Sequence, residues 1–316
     1  MIDKGIFFAL LTTLSWSICI FPFTQAARRL GINSLNNFRL ILATLIIGIV
    51  SIFVGFENFT EIFTASYTNA WLWLGISGII GLTIGDYFAF AMYRILGARI
   101  GSVLTTFAPA AALILGSLII DEHISFIGII GIAITITGVN FVSLGKSERE
   151  KIPDHGHGSI AFGILAGILA ALCQGAGLVL AKKGLMSHST LPLNPIHATF
   201  IRLIAASSSL IVFTMLRGQS KETFLPILNN KNNGLKFAIT GTIFGPVLGV
   251  CLSLFTVALI DPSVAQTIFS LVPVFAFLLS VFFFKEKITI KSILGLLVAI
   301  SGVIILIWRD KLNDIF

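Results

Sequence analysis

The sequence predicts an all-α polytopic membrane protein with ten transmembrane helices, arranged as two inverted five-helix repeats. Three observations support this prediction: the composition, a series of apolar runs of membrane-spanning length, and an internal duplication. Of the 316 residues, 56% are hydrophobic and only 11% are charged, whereas soluble domains average about 25% charged residues. A soluble protein of this length cannot bury so many apolar side chains, so lipid must cover part of them.

Ten apolar runs have the length of about 17–25 residues that is needed to cross about 30 Å of hydrocarbon. They occupy residues 5–23, 38–55, 70–93, 101–120, 126–144, 159–180, 194–216, 235–260, 264–284 and 290–308. A polar linker at 145–158 separates a first repeat, 1–144, from a second repeat, 159–316.

An internal duplication relates the two repeats. Gly81 matches Gly245 at an offset of 164 residues (245 − 81 = 164), and Gly85 matches Gly249 at the same offset. The other matches at this offset are Pro109 with Pro273, Glu122 with Glu286, Ile124 with Ile288, Gly131 with Gly295, and Gly138-Val139 with Gly302-Val303. Apolar residues match by chance, but Gly, Pro and Glu at one offset indicate a true repeat.

The odd number of helices in each repeat predicts that the second repeat enters the membrane from the opposite side. Fifteen of the 21 Lys and Arg residues lie in the odd-numbered loops. By the positive-inside rule these loops are cytoplasmic and both termini face outward, in a plasma or inner cell membrane. Inverted repeats are common in secondary transporters, whose site lies near the midplane between the halves. The duplication therefore predicts alternating access at a midplane pocket.

The composition also bounds the partners. The net charge is +7, but the basic residues separate apolar runs, so topology and anionic headgroups explain them and no nucleic-acid partner is expected. Cys19, Cys173 and Cys251 lie inside apolar runs and show neither a disulfide framework nor metal-ligand spacing. We expect no cofactor, a small-molecule substrate, contact with the bilayer and a coupling proton as a further candidate partner.

Asp86 is the first candidate for substrate binding because it lies well inside the third apolar run. A carboxylate at that depth costs about 2.5–3.5 kcal/mol on insertion scales, so such residues face the bundle interior or a wet cavity. Asp86 would bind a cationic group or take up a coupling proton. Alternatively, it pairs with a Lys or Arg, or caps a broken helix after Gly85. Tyr93 shares its helical face and would bind the same ligand or anchor the helix at the interface.

Trp16 and Gln174 occupy related places in the first and sixth helices. A flat indole together with an amide suits a ligand that has apolar and polar parts. The alternative is that Trp16 packs in the core and Gln174 makes an interhelical hydrogen bond. Gln266 is a further candidate for lining the pocket.

Two prolines and two glycines are candidates for shaping the pocket. Pro109 and Pro273 each remove a backbone donor inside a helix, and carbonyls freed in this way tend to lie beside cavities. A hinge and a simple packed kink are both consistent with this pattern. Gly85 and Gly249 are grouped with the prolines because they are duplicated beside the candidate site.

Four charged residues are duplicated between the repeats, and each of them has a structural interpretation that needs no ligand. Arg39 and Arg202, matched at an offset of 163 (202 − 39 = 163), begin the second and seventh helices. They either extend to lipid headgroups or point inward, to bind an anion or bridge to another helix. Glu122 and Glu286 end the fourth and ninth helices, where solvation in a loop is expected.

The order of these motifs, repeated in each half, resembles the EamA-type branch of the drug/metabolite transporter superfamily. The resembling features are Trp16, Arg39 and Arg202, Pro109 and Pro273, the turns Asp121-Glu122-His123-Ile124-Ser125 and Lys285-Glu286-Lys287-Ile288-Thr289, and a Gly-x6-Gly-Val helix in each half. The resemblance implies transport, usually export, of small metabolites such as amino acids, nucleotide-linked compounds or drugs. Gln174 in place of Trp, and the acid at Asp86, depart from the family pattern.

Rival functions come from other classes. A flippase for lipids or lipid-linked sugars is compatible with the same resemblance and predicts a lateral opening near the headgroups. An intramembrane protease is the enzyme alternative, because Gly75-Ile76-Ser77-Gly78 resembles a rhomboid-type serine motif and His197 would serve as its base. The duplication has no counterpart in that class, so we expect no enzyme.

Overall fold

A computed structural model describes residues 2–145, 159–187, 193–284 and 290–309. Every regular element in these ranges is helical, as the composition predicts. The α-helices are α1 (Ile2–Leu30), α2 (Ile32–Val54), α3 (Phe56–Glu61), α4 (Thr68–Gly78), α5 (Gly85–Thr105), α6 (Ala108–Ile119), α7 (Phe126–Gly145), α8 (Ile160–Met186), α9 (Pro195–Leu216), α10 (Ser220–Leu228), α11 (Leu235–Thr242), α12 (Cys251–Leu259), α13 (Pro262–Phe269), α14 (Val272–Phe284) and α15 (Ile290–Ile307).

Seven helical stretches within the described ranges are long and apolar enough to span a membrane. They are Lys4–Leu30, Ile32–Val54, Ala65–Tyr93, Ile160–Met186, Pro195–Leu216, Leu235–Leu259 and Pro262–Leu279. Three shorter apolar helices are Ala108–Ile119, Phe126–Phe141 and Ile293–Ile307. Apolar helices thus lie at all ten predicted positions, while the number of membrane crossings stays a prediction.

The helix boundaries differ from the predicted ones where the two repeats differ in sequence. α5 is helical to Thr105, through the predicted boundary between the third and fourth helices at 94–100. It bends in that stretch, because the Tyr93 ring lies against Gly101, which would be about 12 Å away along a straight helix. In the second repeat the chain breaks at Asp261, and α13 begins at Pro262. The positions equivalent to Asp261 and Pro262 are Gly97 and Ala98, where no proline forces the preceding residue out of helical geometry.

The predicted fourth and ninth helices are each interrupted at the same place. α5 ends at Thr105 and α6 begins at Ala108, while α13 ends at Phe269 and α14 begins at Val272. In each repeat the new helix carries its proline at the second position, where the missing N–H has no helical partner to lose. The prolines therefore start short helical segments, and the bend lies just before them.

The described chain forms two compact units, and each unit contains helices from both repeats. Unit 1 comprises Met1–Thr83 and Leu180–Leu259, and unit 2 comprises Ile84–Val179 and Ile260–Phe316. A buried cluster of unit 1 contains Ala26, Leu30, Leu35 and Ala238. A buried cluster of unit 2 contains Met92, Ile95, Leu96 and Ala166. Each of these clusters joins residues from before and after the linker.

Reciprocal contacts join α7 to its counterpart α15 in unit 2. A β-carbon built on Gly131 would lie 2.9 Å from the carbonyl oxygen of Gly302, and one on Gly138 would lie 2.8 Å from that of Gly295. Gly131 matches Gly295, and Gly138 matches Gly302. If the two repeats were exchanged, the pair Gly131–Gly302 would therefore become the pair Gly295–Gly138. This order of contacts requires antiparallel helices, and the reciprocity is what a local two-fold axis produces.

A polar seam joins α2 to its counterpart α9 in unit 1. Thr44 Oγ1 donates a hydrogen bond to Ser207 Oγ at 3.2 Å, and Asn37 Nδ2 donates to Thr214 Oγ1 at 3.2 Å. Thr44 and Ser207 are 163 residues apart (207 − 44 = 163), which is also the offset between Arg39 and Arg202. Thr44 therefore contacts its own counterpart, as a residue beside a two-fold axis does.

The contact between α7 and α15 leaves no room for a side chain, which gives a first prediction. In Gly138→Ala, the new β-carbon would lie 2.6 Å from the α-carbon of Ala299. Backbone atoms cannot rotate away as a side chain can. We expect a loss of about 1–3 kcal/mol in the free energy of unfolding, because overpacking forces helices apart. The measurement is denaturant unfolding of the purified protein in detergent.

Gly75→Ala is the matched control for this prediction. A β-carbon at Gly75 would make only an ordinary contact, at 3.7 Å from Ala205 Cβ. Equal stability losses in the two variants would contradict the proposed packing of α7 against α15.

Candidate functional site

The helices around the candidate site contain π-helical segments at equivalent positions. One covers Ile79–Ile84 and the other covers Ile243–Val250. The first residues of the two segments are 164 apart (243 − 79 = 164), so the irregularity belongs to the duplicated fold. Pro246 in the second segment removes a backbone donor. Single π-turns inside α-helices frequently occur at functional sites.

Asp86 lies two residues after the end of the first π-segment, in the first turn of α5. Its side chain is half-buried and lies close enough to the thiol of Cys173 on α8 for an electrostatic interaction. Gln174 is the next residue along α8 and is also half-buried. Within unit 2, the structure thus brings the predicted acid to the same stretch of α8 as the predicted amide.

The first turn of α6 lies against the same stretch of α8. A β-carbon on Gly175 would lie 2.7 Å from the backbone nitrogen of Ala112 and 3.0 Å from the carbonyl oxygen of Ala108. Pro109 is buried within this turn. Asp86 and the start of α6 therefore both approach the stretch of α8 that carries Gln174, but at Cys173 and Gly175, which lie on opposite sides of that helix.

Unit 1 contains the equivalent contact, which joins α1 of the first repeat to the π-segment of the second repeat. A β-carbon on Gly249 would overlap Nε1 and Cδ1 of Trp16, so the indole lies directly against the backbone of the second π-segment. Ser15 Oγ adds a hydrogen bond of 2.6 Å to the carbonyl oxygen of Phe244 in that segment. Trp16 matches Gln174, and Gly249 matches Gly85, so this contact in unit 1 is the counterpart of the approach of α8 to the first turn of α5 in unit 2.

The remaining candidates in unit 2 have other neighbours. The Tyr93 ring packs beside Gly101, and its hydroxyl bonds the side chain of Thr105, so both of these contacts lie along α5. Gln266 is buried in α13, and Pro273 is half-buried at the start of α14. Ligand binding by Tyr93 and Gln266, and the shaping of the pocket by Pro273, stay predictions.

Arg39 and Arg202 are buried, with 8% and 5% of their surfaces exposed. Arg39 Nε donates to Asn36 Oδ1 at 2.8 Å, and its guanidinium carbon lies 5.8 Å from the centroid of the Phe23 ring. The carbonyl oxygen of Arg202 lies where a β-carbon on Gly78 would be. Both side chains are thus enclosed by protein, and whether they bind an anion or bridge to another helix stays a prediction.

Glu122 corrects the expectation of a solvated loop residue. Only 5% of its surface is exposed. Oε1 accepts hydrogen bonds from Ser263 Oγ and, at 3.2 Å, from the backbone nitrogen of Ser263. The carboxylate therefore caps the N-terminus of α13, where the helix dipole favours a negative charge. Glu286, its counterpart, lies outside the described residues.

The sequence around Glu122 explains how the chain buries it. Asp121 adopts a left-handed conformation with φ of 52°, which Asp tolerates better than most residues. This turn directs Glu122 back toward Gly116, where a β-carbon would collide with Oε2. The glycine five residues before the acidic turn was the signal that sequence analysis missed.

The serine and histidine considered for a protease do not form a hydrogen-bonded pair. Ser77 in α4 and His197 in α9 are both buried. Neither ring nitrogen of His197 has a hydrogen-bond partner among the described residues, whereas a nucleophile needs its base within hydrogen-bond reach. Among the described residues, no three or more His, Cys, Asp or Glu side chains are grouped as metal ligands.

Comparison with known proteins identifies a family and similar solved structures. The model of the EamA-like transporter family matches residues 3–144 and 161–308. One solved crystal structure of a protein superimposes with a TM-score of 0.68 at 14% identity, covering 96% of each chain. At that identity the likeness shows the fold alone. No curated protein matches this chain.

The cap by Glu122 gives a second prediction. A charge-assisted hydrogen bond contributes about 1.5–3 kcal/mol, so Ser263→Ala and Glu122→Gln should each destabilise the protein. Because both variants break one interaction, we expect a coupling energy of about 0.5–3 kcal/mol in a double-mutant cycle. The measurement is the free energy of unfolding in detergent.

Ser301→Ala is the control, because the exposed Ser301 hydroxyl bonds only the carbonyl of Val298 in its own helix. Losses that simply add in the double variant, with no coupling energy, would refute the cap.

Proposed function

The chain belongs to the EamA-like transporter family, and on this premise we propose that it moves a small metabolite across the cell membrane by alternating access. The proposed carrier has ten membrane-spanning helices in two inverted repeats, with a pocket near the midplane. Export is the proposed direction, and the substrate classes are amino-acid-like, nucleotide-linked and drug-like compounds. The reciprocal contacts of α7 with α15, and of α2 with α9, support the inversion.

The single observation that carries the proposal is the position of Asp86. It lies two residues after a π-segment that has a counterpart in the second repeat, yet the residue equivalent to Asp86 is Val250 (250 − 86 = 164). Of the two equivalent positions, one therefore carries a carboxylate, and it lies beside irregular backbone inside a helix long enough to span the membrane. Acids in this setting usually face a cavity and serve as binding or proton-relay groups.

The neighbours of Asp86 indicate what kind of ligand would fit. The carboxylate suits a cationic group or a proton, and the Gln174 amide on the adjacent helix offers both a donor and an acceptor. A substrate with an amine and a hydrogen-bonding group would use Asp86 and Gln174, and a proton would replace the amine when the carrier returns empty. Trp16, in unit 1, stays a separate candidate that offers an aromatic face and one donor.

The breaks before Pro109 and Pro273 support movement of the segments that follow them. α6 and α14 are short helices joined by two-residue breaks to the helices before them, and such element-terminal positions absorb changes in backbone dihedral angles. The Glu122 cap joins the turn after α6 to the start of α13.

A comparison of metabolites tests the proposed function. We expect cells that lack the protein to retain, and cells that overproduce it to lose, a small set of soluble metabolites. A change confined to lipids or lipid-linked sugars would favour a flippase instead. Identical profiles in the two strains under conditions in which the protein is expressed would reject transport of small metabolites.

Asp86→Asn gives the third prediction. The amide keeps the shape of the side chain and loses its charge. In vesicles with an imposed pH gradient, flux of the metabolite identified above should fall by roughly tenfold or more, because a bond to a charged partner contributes about 1.5–3 kcal/mol. Flux is measured with the radiolabelled metabolite at matched protein content.

Asp121→Asn is the matched control, because Asp121 is exposed at the end of α6 and should retain full flux. Wild-type flux in Asp86→Asn would remove Asp86 from the mechanism.

A further inference from the structure

One end of unit 1 places two cations around an aromatic ring. The guanidinium carbon of Arg29 lies 4.5 Å from the centroid of Phe237, and the Nζ atom of Lys236 lies 5.1 Å from the same centroid. Arg29 Nη1 also donates to the carbonyl oxygen of Asn232 at 2.9 Å. The last turn of α1 and the turn before α11 are thereby fixed to each other, with their cations side by side.

Further basic residues extend this group into a surface that we call the basic shelf: Arg28, Arg29, Lys231 and Lys236. Arg28, Lys231 and Lys236 are exposed, and Arg29 is half-buried. Segments 24–38 and 229–240, which contain the shelf, hold no Asp or Glu. The positive charge of the shelf is therefore not balanced by acids from its own segments.

An apolar surface adjoins the shelf along the chain. α10 ends three residues before Lys231, and its Leu225 and Leu228 are 55% and 79% exposed. These two leucines are three residues apart, so they lie on one face of the helix. The other side of α10 carries Thr223, which is buried. A helix with outward leucines beside cations is typical of the boundary between headgroups and acyl chains.

We propose that the basic shelf is a binding site for the headgroup of an anionic phospholipid, with the acyl chains along the leucines of α10. Arg and Lys recognise phosphate by charge and hydrogen bonding, and basic clusters next to membrane helices attract anionic lipids. A soluble polyanion would use the cations alone, whereas a phospholipid uses both surfaces. The site depends on the membrane location of the chain and not on its transport activity.

Spin-labelled lipids test the site directly. The full-length protein is reconstituted in phosphatidylcholine vesicles that contain labelled phosphatidylglycerol or labelled phosphatidylcholine, and the immobilised fraction is measured by electron paramagnetic resonance. We expect selectivity for phosphatidylglycerol in the wild type. In the double variant Arg29→Gln with Lys236→Gln, the selectivity should fall by about fivefold for each cation removed, and added salt should weaken the wild-type preference.

The matched control is Lys182→Gln with Lys183→Gln, at the end of α8. There Lys183 Nζ lies 4.2 Å from the centroid of Trp73, which is a similar cation–π contact. This control should keep the selectivity, and Arg29→Lys should keep most of it because the charge remains. Unchanged selectivity in the double variant, or an equal loss in the control, would overturn the proposal whatever the transport assays give.

Discussion

The hydrocarbon interior of a bilayer offers no hydrogen-bond partner to a peptide group, so each segment that crosses it must satisfy its own backbone. This constraint explains why every regular element in the described chain is a helix. It also makes each interruption of regular α-helix informative, because the peptide groups there need other partners. The π-segments at 79–84 and 243–250, and the breaks before Pro109 and Pro273, leave carbonyl groups that need partners. The Ser15 hydroxyl supplies one such partner at Phe244. Irregular backbone thus lies where two repeats pack on each other, and such places are also where a ligand can be held.

The contacts that are duplicated in both repeats and the residues that differ between the repeats have different roles. Contacts that join equivalent glycines in α7 and α15, or Thr44 and Ser207, require similar small residues in both copies. The candidate binding residues are not duplicated: Asp86 is matched by Val250, and Trp16 by Gln174. A symmetric scaffold with an asymmetric lining can keep the same two-state movement while presenting a pocket for an asymmetric substrate.

The sequence predicts much of this fold because apolar length and repeated Gly and Pro are direct consequences of the bilayer and of helix packing. It also marks Asp86, since a carboxylate inside an apolar run is costly. Other features depend on contacts between residues far apart in the chain. The burial of Glu122 requires the left-handed turn at Asp121 and the serine at 263, and the charge alone suggests a solvated loop. The burial of Arg39 and Arg202 likewise depends on packing around them.

A π-turn accommodates one more residue than an α-turn in the same ladder of hydrogen bonds. The side chains that follow it are consequently rotated, by about 100° for one residue, relative to an uninterrupted α-helix. The orientation of Asp86 is therefore set by the length of the segment before it as well as by its own position. Loss of a single residue between 79 and 84 would restore ordinary helix geometry and turn the carboxylate to a different azimuth, with every chemical group of the site still present. The phase of this helix would thus matter to the proposed site as much as the side chains themselves, and substitutions alone would not reveal it.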